Sequence, residues 1–220
     1  MKKLLVLIGL CLCVIVSGCG SEIEYKNIMN AKVGDFTRYG YYDGAPVVWK
    51  VVDVKNTQKK LMSWYVLDVK PFNVKENRRA DWQHCSIRKW LNDVFLSTAF
   101  NMEEQGKLQA VERRKNVFDK VFLLNKNEVE LYFDSINDRC CLPTKNLSKR
   151  NGYYESRDNA YWIDTENNDS ELVRIFGRDC YWNYFVTSKG QFDTVLVGSP
   201  MIEFIEEHGV RPVVLVDVSK

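Results

Sequence analysis

The first nineteen residues constrain this chain most, because they decide where it folds and where its folded part begins. Met1-Lys2-Lys3 is a short basic start, and Leu4 to Val16 is an almost unbroken apolar run. That run has the length of a signal-peptide core and falls short of the roughly 20 residues that a spanning helix needs. Ser17-Gly18-Cys19-Gly20 follows. Small residues before a cysteine let a narrow protease groove accept the backbone. The alternative is an apolar helix kept as an anchor or packed on a core. It fits less well, because the run is short and ends in a small-small-Cys pattern.

Val16-Ser17-Gly18-Cys19 resembles the lipobox of bacterial lipoproteins. The resemblance implies cleavage before Cys19, with loss of Cys11 and Cys13, and a thioether from the Cys19 thiol to diacylglycerol. Two acyl chains anchor stably where one would not. Residues 1–18 are therefore expected to be removed. Residues 19–32 are expected to form a lipidated start and polar tether, and residues 33–220 one globular domain. The expected location is extracytoplasmic, on a membrane of the bacterial cell envelope.

Charge excludes one class of partner. The chain has 31 Lys and Arg against 29 Asp and Glu, and two of the lysines leave with residues 1–18. The remainder is formally neutral, so nothing draws it to a phosphate backbone, and no nucleic-acid partner is expected. All six tryptophans lie beyond the signal segment. That favours a packed core over disorder. Cys85, Cys140, Cys141 and Cys180 remain as thiols, in a compartment that permits disulfides. Two readings stay open. In one, Cys85 and Cys180 each pair with one member of the vicinal Cys140-Cys141; a bond within the vicinal pair would strain the backbone. In the other, all four are free, partly buried thiols. A zinc site is disfavoured, since no C-x-x-C pair is present.

Periodicity suggests α+β with an antiparallel sheet. Val47 to Val54 reads as a strand, Asn56 to Lys60 as a turn and Leu61 to Leu67 as the returning strand. A short strand and turn are expected from Gly34 to Gly40, and a charged loop from Pro71 to Gln83. Ser86 can cap a helix that puts Ile87, Trp90, Leu91, Val94 and Phe95 on one face. Asn101 with Glu104, and Asn125 with Glu128, have capping-box spacing. The first should start a helix ending near Val111, the second a helix burying Val129, Leu131 or Tyr132, and Phe133. Val121 to Leu124 reads as a buried strand and Asp134 to Asp158 as a long loop. Strands are expected near Tyr161 to Ile163, Tyr184 to Thr187, Phe192 to Val197 and Gly209 to Val218.

Gly34-Asp35, Tyr39-Gly40-Tyr41, Trp49, Ile87-Arg88-Lys89-Trp90-Leu91-Asn92, Phe100, Asp119-Lys120-Val121-Phe122-Leu123-Leu124, Glu128 and Gly209-Val210-Arg211-Pro212 occur in this order. In this order they resemble a bacterial family of secreted domains of unknown function, over about residues 33 to 218. Trp162-Ile163-Asp164-Thr165-Glu166 departs from it, standing where the family has Trp-Leu-Arg-Ser-Pro-Gly. The family is in turn distantly similar to C-type-lectin-like and formylglycine-generating-enzyme-like folds. That similarity implies a small twisted antiparallel sheet, two or three short helices, long loops and neighbouring termini.

The loop Asp164-Thr165-Glu166-Asn167-Asn168-Asp169-Ser170-Glu171 gathers hard oxygen ligands. Asp169 stands where an EF-hand needs glycine, and Ile175 where it needs a bidentate glutamate, so the loop is no EF-hand. A solvated acidic turn is the preferred reading. A lectin-like calcium loop using Asp164, Glu166, Asn168 and Asp169 is the alternative, and calcium is the single cofactor candidate. His84 and His208 are the two histidines, and neither sits in a nucleophile motif. Trp64, Tyr65, Trp82, Tyr153, Tyr154, Tyr161, Trp162, Tyr181, Trp182 and Tyr184 could include a stacking platform, though most should be core. Arg211 is expected to be structural, held by a buried acid or by carbonyls.

No convergent acid, base or nucleophile set is visible, so no catalytic residue is assigned. The expected function is non-enzymatic: a lipid-anchored module that binds a glycan or a peptide outside the cytoplasm. The alternatives are an interaction module for another envelope protein, and a metal-dependent enzyme using residues 164–171.

Overall fold

Alternating apolar strands joined by left-handed turns build one half of the molecule. β1 (Phe36–Tyr42) and β2 (Ala45–Lys55) are joined at Asp43-Gly44, where both residues have positive φ, as a tight type I′ hairpin needs. β2 and β3 (Gln58–Ser63) are joined at Asn56-Thr57, with Asn56 left-handed. The computed structural model describes residues 23–74, 81–150, 160–164, 172–175, 178–197 and 207–219. Of 172–175, 178–182 and 196–197 it describes the backbone alone.

The two halves are sheets of six strands each, almost wholly antiparallel. In the first, β14 (Val213–Asp217) lies at the centre, between β3 on one edge and β5 (Leu108–Gln109) and β8 (Val121–Phe122) on the other. In the second, β11 (Arg178–Val186) pairs with β12 (Phe192–Val197) on one side. On its other side lie β10 (Leu172–Ile175) and β9 (Tyr161–Trp162). β13 (Glu207–Val210) then pairs in parallel with β9 and antiparallel with β4 (Asp68–Pro71). The sheets meet where β3 leads toward β4, and where β13 breaks at Arg211-Pro212 before β14. β6 (Val111–Arg114) and β7 (Val117–Asp119) form a separate hairpin. One core runs through both sheets, centred on Trp49, Leu61, Phe122, Tyr161, Trp162 and Val214. The chain is one α+β domain of curled antiparallel sheet with short helices.

The helical stretch 86–99 departs from ideal periodicity. α1 (Ser86–Lys89) and α2 (Leu96–Ala99) flank a π-helical segment, Trp90–Phe95. The wider turn keeps Ile87, Leu91 and Phe95 buried but rotates Val94 into solvent, at 51% exposure. Cys85, not Ser86, stands at the N-cap; the Ser86 hydroxyl donates to Asn73 Oδ1 at 3.0 Å. Both expected capping boxes form, Asn101–Glu104 on α3 (Met102–Lys107) and Asn125–Glu128 on α4 (Lys126–Tyr132). The first helix ends at Lys107 rather than Val111, because Leu108 pairs with Val216 of the central strand. α4 buries Val129 and Phe133, and leaves Leu131 in solvent.

The stretch from Asp134 onward is more structured than a loop. Ser135 closes a third capping box with Asp138 on α5 (Ile136–Arg139), and Thr144 caps α6 (Lys145–Ser148). The turn between β11 and β12 sits directly on α5: a Cβ on Gly190 would lie 2.0 Å from the Ile136 carbonyl oxygen. Residues 25–31, expected in the tether, are docked on the first sheet instead. Tyr25 bridges Phe36, Lys26 N–H donates to the Phe36 carbonyl at 2.7 Å, and Ala31 is buried.

Candidate functional site

Two charged clusters flank α4, and they differ in whether their cations have acids. The first is closed. Arg113 and Arg114, on β6, converge on Asp164, which follows β9 and whose N–H donates to the Leu124 carbonyl at 2.8 Å. Arg113 Nη2 lies 3.1 Å from Asp164 Oδ2 and 3.0 Å from Glu128 Oε2. Arg114 Nη2 lies 2.6 Å from Asp164 Oδ1. Lys60 completes the chain, 3.0 Å from Glu128 Oε1. Burial pushes the Asp164 carboxyl above its ordinary range, and the two arginines pull it back. Burial also acts upward on Glu128, but Arg113 and Lys60 outweigh it and hold that carboxyl low.

The second cluster is cations on aromatic faces. Lys50 of β2 lies over Trp64 and Phe133, at 5.6 and 5.4 Å from the ring centres. Arg211, almost wholly buried, lies over Tyr161 at 4.7 Å and Phe133 at 5.8 Å, and donates from Nε to the Ser63 carbonyl at 3.1 Å. Arg139 of α5 lies over Phe192 at 4.8 Å and donates to the Phe133 carbonyl. Lys126 of α4 lies over Phe192 at 5.5 Å and Tyr184 at 6.0 Å. Among the described residues none of these four cations is paired with a carboxylate. Arg211 Nη1 and Nη2, and the Tyr161 hydroxyl, are buried with no hydrogen-bond partner among the described residues. Burial pushes the Tyr161 phenol up to about 12, with Arg211 acting against the rise. The Cys141 thiol beside them is also pushed up by burial and drawn back by Arg211.

Ring faces attract cations at about 0.5–2 kcal/mol each. That is less than the several kcal/mol that taking a charge out of water costs. An open cation–aromatic cluster therefore retains the capacity to bind an anion, which a closed ion network lacks.

The expected site residues fall as follows. Both oxygens of Asp164 are occupied by guanidinium groups, so calcium there would have to displace Arg113 and Arg114. Glu166, Asn168 and Asp169 lie outside the described residues, as does Cys19. Among the described residues no group of three or more His, Cys, Asp and Glu is placed to hold a metal. Cys85 is a buried thiol donating to the Trp82 carbonyl; Cys85, Cys140 and Cys141 are not bridged to one another. The Cys180 side chain lies outside the description. His84 Nδ1 is 2.6 Å from Asp81, and His208 stacks on Phe185 against the edge of Trp162. Of the ten candidate aromatics, Trp82, Tyr161 and Trp162 are core, while Trp64, Tyr65 and Tyr184 are half-buried. Tyr153 and Tyr154, and the side chains of Tyr181 and Trp182, lie outside the description. Arg211 takes the expected carbonyl, through Nε, but no acid among the described residues. Lys50, Lys126 and Arg139 were not expected. They are far apart in sequence, and no motif marks them.

Fold and cluster together define a small antiparallel α+β domain with a cluster of cations packed on aromatic rings of both sheets and α4. The chain belongs to the family described as a domain of unknown function (DUF6273), whose model matches residues 56–218. Gly34-Asp35, Tyr39-Gly40-Tyr41 and Trp49 precede the matched residues. No curated protein and no solved structure matches the chain.

Proposed function

We propose that this protein is a non-enzymatic binding module, lipid-anchored through Cys19 on the extracytoplasmic face of a bacterial membrane, whose ligand site is the cation–aromatic cluster. The observation that carries the site is the set Lys50, Lys126, Arg139 and Arg211, packed on rings without carboxylate partners among the described residues. Such a surface suits a ligand with a ring or apolar face and a negative group, since aromatic stacking and charge then act together. An acidic glycan meets that description. The anchor rests on the basic start, apolar run and small-small-Cys ending of residues 1–19. The lectin-like expectation is supported by the chain ends. Val218 N–H donates to the Thr57 carbonyl, while Lys59 two residues on reaches the Met29 carbonyl, so Met29 and Val218, early and late in the described residues, lie at one turn.

Titrating the purified protein with oligogalacturonate, and with its neutral galactose counterpart, tests the site by calorimetry. Binding of the acidic sugar alone, abolished by Arg139→Ala with Lys126→Ala, is the expected result. Equal binding of both sugars, or of neither, would refute the assignment. Intact mass of protein from its own membrane tests the anchor. The expected mass is residues 19–220 plus lipid, absent in Cys19→Ala.

A second reading is favoured by one further observation. Leu131, Ile136 and Leu142 are exposed at 70, 49 and 63% around the same two helices. Apolar side chains next to a charged site also suit another envelope protein. Retention of binding to an acidic peptide, hexaglutamate, with loss of the sugar would favour it.

A further inference from the structure

The distance from the lipidated cysteine to the folded domain is short. Tyr25 is already paired with Phe36, so the first docked position is the sixth residue after Cys19. Fully extended, six residues span about 20 Å. The segment after Tyr25 is fixed to the first sheet. The Asn30 and Ala31 N–H groups both donate to the Asn27 carbonyl, closing a turn. The Lys59 ammonium, buried beneath it, donates to the Met29 carbonyl at 3.1 Å and to the Ala31 carbonyl. Gly34 N–H donates to the Val51 carbonyl and Val51 N–H to the Asp35 carbonyl, joining the segment to β2.

This docked segment leaves apolar side chains in solvent: Met29 at 56% and Val33 at 61%, with Tyr25 at 36%. Val54 of β2 adds to them, since it sits opposite Lys59 in the β2–β3 ladder and Lys59 reaches Met29. Lys32, Arg38 and Lys55 are exposed on the same segments, as are Asp53 and the Lys26–Glu24 ion pair that flanks Tyr25; the Arg38 guanidinium lies 3.8 Å over the Tyr25 ring. Exposed valine and methionine beside tyrosine and flexible cations is the composition of a surface that rests at a headgroup layer.

We propose that the face formed by Tyr25, Met29, Val33 and Val54 lies against the lipid bilayer, with Lys32, Arg38 and Lys55 toward anionic headgroups. The occupant is set by chain length: with Cys19 in the membrane, Tyr25, the first residue of this face, is held within about 20 Å of it. The inference rests on the lipid anchor proposed above. It adds an orientation, because a domain seated on this face cannot tumble freely on its tether.

Methionine supplies the probe, since Met29 belongs to the face and Met102, on α3, is 90% exposed elsewhere in sequence. The lipidated protein, labelled with 13C at methionine methyl groups, is placed in vesicles of phosphatidylethanolamine and phosphatidylglycerol. Methyl relaxation is compared between a gadolinium chelate on a lipid headgroup and the same chelate free in solution. The expected result is that the lipid-borne chelate erases the Met29 signal while Met102 survives, and that the free chelate prefers Met102. Val33→Gln with Val54→Gln should restore Met29. If Met29 and Met102 respond alike while the mass of the same sample shows lipid on Cys19, the face is wrong and the anchor stands. A sample without lipid overturns both.

Discussion

The closed network around Asp164 and the open cluster around Arg211 contain similar cations in similarly buried settings, yet they differ in kind. In the first, Arg113, Arg114 and Lys60 share Asp164 and Glu128, and each oxygen has a donor. In the second, four cations share Trp64, Phe133, Tyr161, Tyr184 and Phe192, and none is in an ion pair with a carboxylate among the described residues. A closed network ties β6, β9 and α4 together and has little left to offer a ligand. An open one holds its geometry by packing and keeps its charge. The proposed function assigns architecture to the first and recognition to the second.

The comparison breaks most visibly at Asp164. Asp164→Ala would remove the buried carboxylate that Arg113 and Arg114 share, leaving Arg113 with Glu128 alone, at a cost of about 3–5 kcal/mol. Urea unfolding should show a lower midpoint that calcium does not recover. A loss below about 1 kcal/mol would mean that the network is not what joins these strands.

Acid should separate the clusters next. Glu128 is held below its ordinary value of 4.5, so its contribution is complete above that pH and is lost as pH falls through the lowered value. Asp68 behaves alike: burial acts upward, but the Tyr42 hydroxyl and Lys70 hold it low. From pH 6 to pH 3 these two groups therefore withdraw stability, against an opposite contribution from the raised Asp164, and Glu128→Gln should remove roughly 1–2 kcal/mol of the measured fall. Removing Arg139 should leave the slope unchanged. An unaltered slope in Glu128→Gln would show that Glu128 carries no linkage.

The smallest effect on stability is expected in the open cluster. Lys126→Ala and Arg139→Ala, both half-buried and without acids among the described residues, should each change unfolding free energy by about 0.5 kcal/mol or less. Their effect should lie in ligand affinity. A loss of several kcal/mol in either would place the second cluster with the first, as structure.

Much of the fold was legible locally. The Asn101–Glu104 and Asn125–Glu128 boxes, the β2–β3 hairpin and β12 follow from hydrogen bonds and side-chain alternation within a few residues. What was missed has identifiable causes. Asp43-Gly44 marks the first turn, whereas Gly40 is left-handed inside β1, where a Cβ would meet the Ala99 carbonyl oxygen at 2.5 Å. Ser135 and Thr144 are caps of helices too short to show a period. The site was less legible. Of its four cations only Arg211 stood out, as part of Gly209-Val210-Arg211-Pro212.

By itself the sequence displayed an N-terminal pattern resembling a lipobox, a nearly balanced charge of +2, the α+β class and the capped helix starts. These depend on neighbours in the chain, through periodicity, capping and local charge. Only the tertiary structure decided that Asp164 faces two arginines and that Arg211 faces a tyrosine ring. It also decided that residues 25–31 belong to the domain. Lys50, Lys126, Arg139 and Arg211 lie 13 to 76 residues from the next in sequence. They meet because strand register and the packing of α4 and α5 bring them together, and those arise from the whole core at once.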